Sequence, residues 1–157
     1  MALHVVLFQP EIPANTGNIA RTCLGTNTRL HLIHPLGFST EDKMLKRAGL
    51  DYWQHVKVLE HRSIEDLFAK YTDGTFFYIE DYGKQYYSDY DFTAIDTDIF
   101  LIFGRETSGI PLTLLEENEE RCLRLPMSGK VRSLNLSNTV AIVLFEVLRQ
   151  LNFPNLS

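Results

Sequence analysis

Three stretches of this chain are rich in residue types that hold and orient a ligand: Asn15-Thr-Gly-Asn-Ile-Ala-Arg21, Gly104-Arg-Glu-Thr-Ser-Gly109 and Arg124-Leu-Pro-Met-Ser-Gly-Lys-Val-Arg-Ser-Leu-Asn-Leu-Ser137. Glycine and serine let the backbone turn tightly and come close to a bound group, which leaves N–H donors free to point at it. Arg21, Lys130 and Arg132 are cations that suit phosphate or a developing anion. Asn15, Glu106, Ser133 and Asn135 are compact hydrogen-bonding groups that can brace a loop or orient a substrate. The chemistry this set suits is the clasping of a polar small molecule beside a second, anionic substrate. Some of the same residues would act as helix caps whether or not anything binds; Ser137 or Asn135 can cap the helix that follows them.

The familiar alternatives are missing. Gly104 and Gly109 have the gap of a phosphate-binding loop, but Ile110 stands where its lysine must be, and no Gly-x-Gly-x-x-Gly occurs. That argues against an ATPase or a dinucleotide enzyme. Without a Gly-x-Ser-x-Gly elbow, the hydrolase reading is also weak. His31 and His34 have the spacing of a strand ending, with no cysteine nearby, so no metal site is expected. Cys23 and Cys122 are far apart and read as reduced, buried thiols.

The elements that must carry these loops alternate between strand and helix. Apolar or β-prone runs predict strands at His4–Gln9, Arg29–His34, Val56–Leu59, Thr75–Ile79, Ile99–Phe103 and Arg121–Leu125. Helices are expected after Asn15 or Thr16 as a cap, over Glu41–Ala48, from Ser63 with a weak capping box to Asp66, over Leu112–Glu116, and from Ser137 to Leu151. Arg21 falls off the apolar face of its helix (Ile19, Cys23, Leu24) and is expected to point toward the loops. The segment 80–98 is aromatic and acidic with little periodicity; it is expected to be an irregular connection whose Tyr82, Tyr86, Tyr87 and Tyr90 pack onto the core. This alternation predicts one domain over 1–157, an α/β fold with a doubly wound, mainly parallel sheet. The near-continuous apolar run Ile99–Phe103 is what a strand covered on both faces needs.

With a net charge of −5, the chain does not grip nucleic acid by overall charge, so any such contact must be local. Lys43, Lys46 and Arg47 form one cluster; Lys130 and Arg132 belong to another. No run approaches the roughly 20 apolar residues of a membrane span. The start, MALHVVLFQPEIP, lacks a basic region and a cleavage-like site, so a cytosolic protein is expected. The last helix is apolar almost all round, from Val140 to Leu151. One face can meet the sheet, and the other is expected to meet a second copy in a homodimer.

Taken in order, N-x-G-N-I-x-R, F-G-x-E-x-x-G and L-P-M-x-x-x-x-R-S-L-N-L-S resemble the three motifs of the SPOUT family of RNA methyltransferases. The likeness extends to E-I-P-x-N-T-G-N-I, R-L-H-L-I-x-P-L-G-F and R-A-G-L-D-Y, and so covers nearly the whole chain. It is nearest to the minimal one-domain branch, which methylates the 2′-hydroxyl of the wobble nucleotide, cytidine or uridine 34, in tRNA. The resemblance implies a C-terminal trefoil knot, which pattern reasoning would never suggest. It also implies S-adenosylmethionine as methyl donor, with Ile79, Gly104, Leu125 and Ser133 as cofactor contacts. Arg21 would be the catalytic residue, with Asn15, Glu106 and Asn135 beside it, and tRNA would rest on Lys43, Lys46, Arg47, Lys130 and Arg132. A guanidinium is effectively never deprotonated, so Arg21 is expected to stabilise a developing alkoxide or clamp a phosphate rather than act as a base. Lys130-Val131, Arg105 and Phe145 depart from the commoner family residues. The rival readings are the same chemistry at another RNA position, such as in rRNA, and a non-catalytic RNA-binding or cofactor-sensing dimer.

Overall fold

Apolar runs that can be covered on both faces form the centre of the sheet. In the computed structural model, which describes residues 1–157 apart from the side chains of Leu50 and Asp51, the strands are β1 (Leu3–Phe8), β2 (Arg29–Ile33), β3 (Val58–His61), β4 (Thr75–Ile79), β5 (Gln85–Tyr86), β6 (Ile99–Phe103) and β7 (Cys122–Arg124). Part of the Arg47–Tyr52 likeness, Leu50 and Asp51, thus lies outside the described side chains. Every strand pair is parallel, in the order β3-β2-β1-β6-β4-β7-β5. β1 and β6, at the middle, are buried throughout. Because successive side chains point to opposite faces, Val5, Leu7, Leu101 and Phe103 join one core layer, while Val6, Phe8, Phe100 and Ile102 join the other.

The helices cover both layers. α1 (Pro13–Gly25) and α5 (Leu136–Gln150) pack on the first, through Ile19, Cys23, Val140, Val143, Leu144 and Val147; α3 (Ile64–Lys70) and α4 (Leu112–Glu116) pack on the second. α2 (Lys43–Ala48) and the 3-10 turn Leu50–His55 lie against α1. Ser63 caps α3 through the Asp66 N–H at 3.1 Å, and Asn135 caps α5 through the Ser137 N–H at 2.9 Å. α1 departs from expectation. It starts at Pro13, so Asn15 and Thr16 are buried inside its first turns, and its N-cap, Ile12, has no side-chain cap. Proline suits a first helical position because its missing N–H is not needed there. The third strand also begins later than expected, at Val58.

The irregular 80–98 connection holds β5 and a short 3-10 turn, Phe92–Ala94. Phe92 is fully buried against Phe77 and Tyr90, and Gln150 of α5 holds the Phe92 N–H and the Tyr90 carbonyl. α5 buries one face, but Ile142 and Phe145 stay 37% and 47% exposed on the other. Both cysteines are buried, and burial pushes the Cys122 thiol up to about 11.

A row of histidines crosses the sheet within the core. His4 Nε2 meets Asp98 Oδ2 at 3.0 Å, His4 Nδ1 meets His31 Nε2 at 2.8 Å, and His31 Nδ1 meets His61 Nε2 at 2.9 Å. The Asp98 carboxylate can only accept, so each ring donates toward it in turn, and His4 and His31, which must also accept at Nδ1, stay neutral. Burial, then the neighbouring His4 and His61, push His31 down to about 3. Since that lies below the ordinary value of 6.5, the stabilisation is complete above about pH 6.5 and drains away as pH falls toward about 3. His31 alone is expected to cost about 2 kcal/mol of stability between about pH 7 and pH 5. Urea unfolding at the two pH values measures it; an unchanged midpoint would show that the row titrates as exposed histidines do.

Candidate active site

Because all the strands are parallel, the loops that leave β1, β4, β6 and β7 emerge at one edge of the sheet. β6 sits between β1 and β4, where the strand order reverses, and open α/β sheets bind ligands at such a point. A cavity of about 260 Å³ lies there, slightly below the roughly 300–1,000 Å³ common for ligand sites. Its apolar walls are Ile79, Phe103, Leu125, Met127, Leu134 and Leu136; its polar rim includes Asn15, Glu80, Asp81, Glu106, Arg132, Ser133, Asn135 and Thr139.

One carboxylate ties the cavity's loops together. Glu106, in the loop after β6, accepts from the Glu11 N–H at 2.9 Å, the Ile12 N–H at 3.0 Å and the Asn15 amide at 3.2 Å. It thereby serves as the cap that Ile12 cannot provide, and its negative charge faces the positive end of α1. Asn15 Oδ1 in turn accepts from Asn135 Nδ2 at 3.0 Å. The stretches starting at Asn15, Gly104 and Arg124 therefore meet through Glu106–Asn15–Asn135.

Neighbouring contacts hold the same loops. Glu11 accepts from the Thr107 N–H and hydroxyl, at 3.1 and 2.8 Å, and these bonds hold its carboxyl below the usual range. Arg105 reaches Gln9 Oε1 at 3.0 Å and lies over the Phe8 ring, and Arg132 donates to the Thr107 carbonyl at 3.4 Å. Glu80 Oε2 accepts from the Ile110 N–H at 3.0 Å and rests against Gly109, whose φ of 69° is open to glycine.

Of the residues singled out from the sequence, Asn15, Ile79, Gly104, Glu106, Leu125, Arg132, Ser133 and Asn135 all line the cavity. At Gly104 the protein itself already requires a bare backbone. A Cβ there would lie 2.3 Å from the Gly109 carbonyl carbon, so the close backbone approach comes from the protein's own returning loop. Arg21 does not line the cavity. It stands about 9 Å further along α1 than Asn15 and roughly 120° round the helix. There it is exposed, with its guanidinium 5.3 Å from the Tyr52 ring centre. Helix α1 starts at Pro13, ahead of the expected cap at Asn15 or Thr16, so Arg21 lies further from the helix start than expected and faces the Tyr52 turn instead of the cavity. Lys43, Lys46 and Arg47 are exposed on α2, with Lys46 paired to Glu41 at 2.8 Å, and Lys130 is exposed on the long loop.

Sequence reasoning passed over Glu80, Asp81, Glu11 and Thr107. Glu80 and Asp81 carried a signal, since two carboxylates directly after a buried parallel strand stand at a site-bearing edge. Glu11 and Thr107 carried none, because their pairing spans most of the chain.

A sequence profile described as the SpoU rRNA Methylase family matches residues 2–145. A protein of Bacillus subtilis (strain 168), provisionally named tRNA (cytidine(34)-2'-O)-methyltransferase, is 64% identical over 99% of this chain and 98% of its own length. The tRNA (cytidine(34)-2'-O)-methyltransferase of Methylovorus glucosotrophus (strain SIP3-4) is 46% identical, over 95% of this chain and 96% of its own. A solved structure concerned with the 2-OH methylation of C/U34 on tRNA superposes with a TM-score of 0.89 at 39% identity, covering 96% of this chain and 97% of that one.

Proposed function

Because the chain belongs to the SpoU methylase family, we propose that it is a tRNA 2′-O-ribose methyltransferase acting on cytidine or uridine 34, with S-adenosylmethionine as donor and the span 1–157 as one catalytic domain. The observation that carries this is the meeting of three loops on one cavity through Glu106, Asn15 and Asn135. The cavity suits the donor chemically. Ile79 and Leu125 offer apolar faces for a flat purine, Ser133 and Thr139 offer hydroxyls, and the Glu80 and Asp81 carboxylates suit a cationic ligand. When bound, the donor supplies an activated methyl on a sulfonium.

The chain's task is alignment, since an in-line displacement needs oxygen, carbon and sulfur in one row. Good positioning alone can contribute about 7–11 kcal/mol. Glu106, Asn15 and Asn135 hold the three loops in register for it. Arg21 stands outside the cavity on an exposed helix face, which favours clamping a tRNA phosphate over stabilising the alkoxide. With Lys43, Arg47, Lys130 and Arg132 exposed as well, tRNA binding rests on local cations and weakens with salt.

The trefoil knot that the motifs imply fits the strand order. β6 is inserted between β1 and β4, β7 lies beyond β4, and a Cβ on Gly83 would sit 2.7 Å from the Cys122 carbonyl oxygen where the β4 exit crosses β7. No helix is long and apolar enough to cross a membrane among the described residues; a tRNA substrate supports a cytoplasmic location. The open Ile142 and Phe145 on α5 support a homodimer through that helix. Phe145→Glu is expected to shift the sedimentation coefficient from dimer to monomer; an unchanged dimer would place the interface elsewhere.

Labelled methyl transfer to tRNA, with the modified nucleotide mapped, tests the whole reading. Methylation at nucleotide 34 is expected, with kcat/KM for tRNA about 10- to 100-fold lower in Arg21→Ala from the lost phosphate contact. Methylation of ribosomal RNA instead would move the substrate, and failure to bind S-adenosylhomocysteine in calorimetry would remove the enzyme.

A further inference from the structure

Helix α1 meets the α2 segment through bare backbone, and that contact places one more side chain. Gly17 and Arg21 are one turn apart on α1 and so share a face. A Cβ on Gly17 would lie 2.2 Å from the Leu45 carbonyl oxygen and 2.9 Å from the Gly49 nitrogen; one on Gly49 would lie 3.2 Å from the Gly17 carbonyl oxygen. The 3-10 turn opens at this contact, with the Tyr52 N–H on the Gly49 carbonyl at 3.0 Å. The turn carries the Tyr52 ring to Arg21, one turn along the same face, with the guanidinium carbon 5.3 Å from the ring centre. Tyr52 is 40% exposed, so core packing does not account for its place. Among the described residues no carboxylate pairs with Arg21.

We propose that Tyr52 is the positioning residue for Arg21, holding the guanidinium by its face so that its edge stays free for a tRNA phosphate. This rests on the reading that Arg21 acts on tRNA. The physical reason lies in the choice of partner. A carboxylate would take up the in-plane N–H donors and cancel the charge. An aromatic face attracts the cation from above and leaves the donors of the planar fork unspent. It also narrows the rotamers of a long, flexible side chain before substrate arrives. The phenol hydroxyl has no part in this, so phenylalanine should serve as well.

The test is a double-mutant cycle on methyl transfer to an in-vitro-transcribed tRNA with cytidine at 34, read beside proton NMR of the Arg21 side chain. Tyr52→Phe should match wild type. Tyr52→Leu should raise the KM for tRNA about 3- to 10-fold, with S-adenosylhomocysteine affinity and Tm unchanged, and should add nothing in an Arg21→Ala background. The Arg21 Cδ protons should be shifted upfield by the ring in wild type and Tyr52→Phe, and lose that shift in Tyr52→Leu. Wild-type kinetics for Tyr52→Leu beside a crippled Arg21→Ala would overturn the proposal, as would a further loss on top of Arg21→Ala. If Arg21→Ala is itself fully active, the phosphate-clamp reading falls first. The ring shift still decides the pairing without substrate, and its absence in wild type would end the proposal.

Discussion

Glu106→Ala is expected to cost about 2–4 kcal/mol of stability and to slow methyl transfer at least about 100-fold. The carboxylate accepts two backbone N–H groups at the entry to α1 and the Asn15 amide. Losing a helix cap costs about 0.5–2 kcal/mol, and losing the Asn15 hydrogen bond to the charged acceptor about 1.5–3 kcal/mol. No side chain at Ile12 can replace the lost cap. The effect on rate has a separate origin: without Glu106, Asn15 is held only by Asn135, and displacement of a loop by about 1 Å can cost about 100-fold. Glu106→Gln keeps the size and one acceptor oxygen but turns an NH2 toward donors, so it should fall between. Urea unfolding and single-turnover transfer measure the two effects. Wild-type stability with wild-type rate in Glu106→Ala would mean the loops are held some other way.

The second large effect is expected at Gly104. In Gly104→Ala the new Cβ would stand 2.3 Å from the Gly109 carbonyl carbon and 2.4 Å from the Ile110 nitrogen. Both are backbone atoms, so no rotamer change relieves the clash and the whole returning loop must move. That loop carries Gly109 and the Ile110 N–H that hold Glu80, and it forms one wall of the cavity. Overpacking of this kind costs about 1–3 kcal/mol of stability. Affinity for S-adenosylhomocysteine should fall at least about 100-fold, or about 2.7 kcal/mol, and Gly104→Arg should abolish it. Gly25→Ala is the control: its Cβ would meet nothing within 4 Å, and binding should be unchanged. Calorimetric titration of the three variants decides it, and tight binding by Gly104→Ala would show that the loop is free to move.

The two predictions differ in how far the sequence foreshadows them. Glu106 stands out in its motif, yet nothing local says that it caps a helix starting at Pro13. A cap is normally sought next to the helix it serves, which is why Asn15 and Thr16 were the natural candidates and Glu106 was not. Gly104 was legible as a position needing a bare backbone, but nothing local says that Gly109–Ile110 of its own loop returns to crowd it. Arg21 shows the same limit. Helical spacing fixes its angle from the buried Ile19 and Cys23, but its distance from the helix start at Pro13 and the Tyr52 ring beside it are set by parts of the chain that this spacing does not record.

What the chain determines by itself are the features written in local pattern. Apolar runs such as Ile99–Phe103 specify buried parallel strands, Asn135 and Ser63 specify helix starts, and the three motifs specify a family. Tertiary structure alone decided which distant groups meet: Glu106 with α1, Asn15 with Asn135, Arg21 with Tyr52, and the histidine row ending at Asp98. The reason is physical. Strand and helix periodicity are short-range properties of the backbone, whereas these contacts depend on the order in which strands stack. Inserting β6 between β1 and β4 brings together residues about 90 positions apart, and no spacing in the sequence records it.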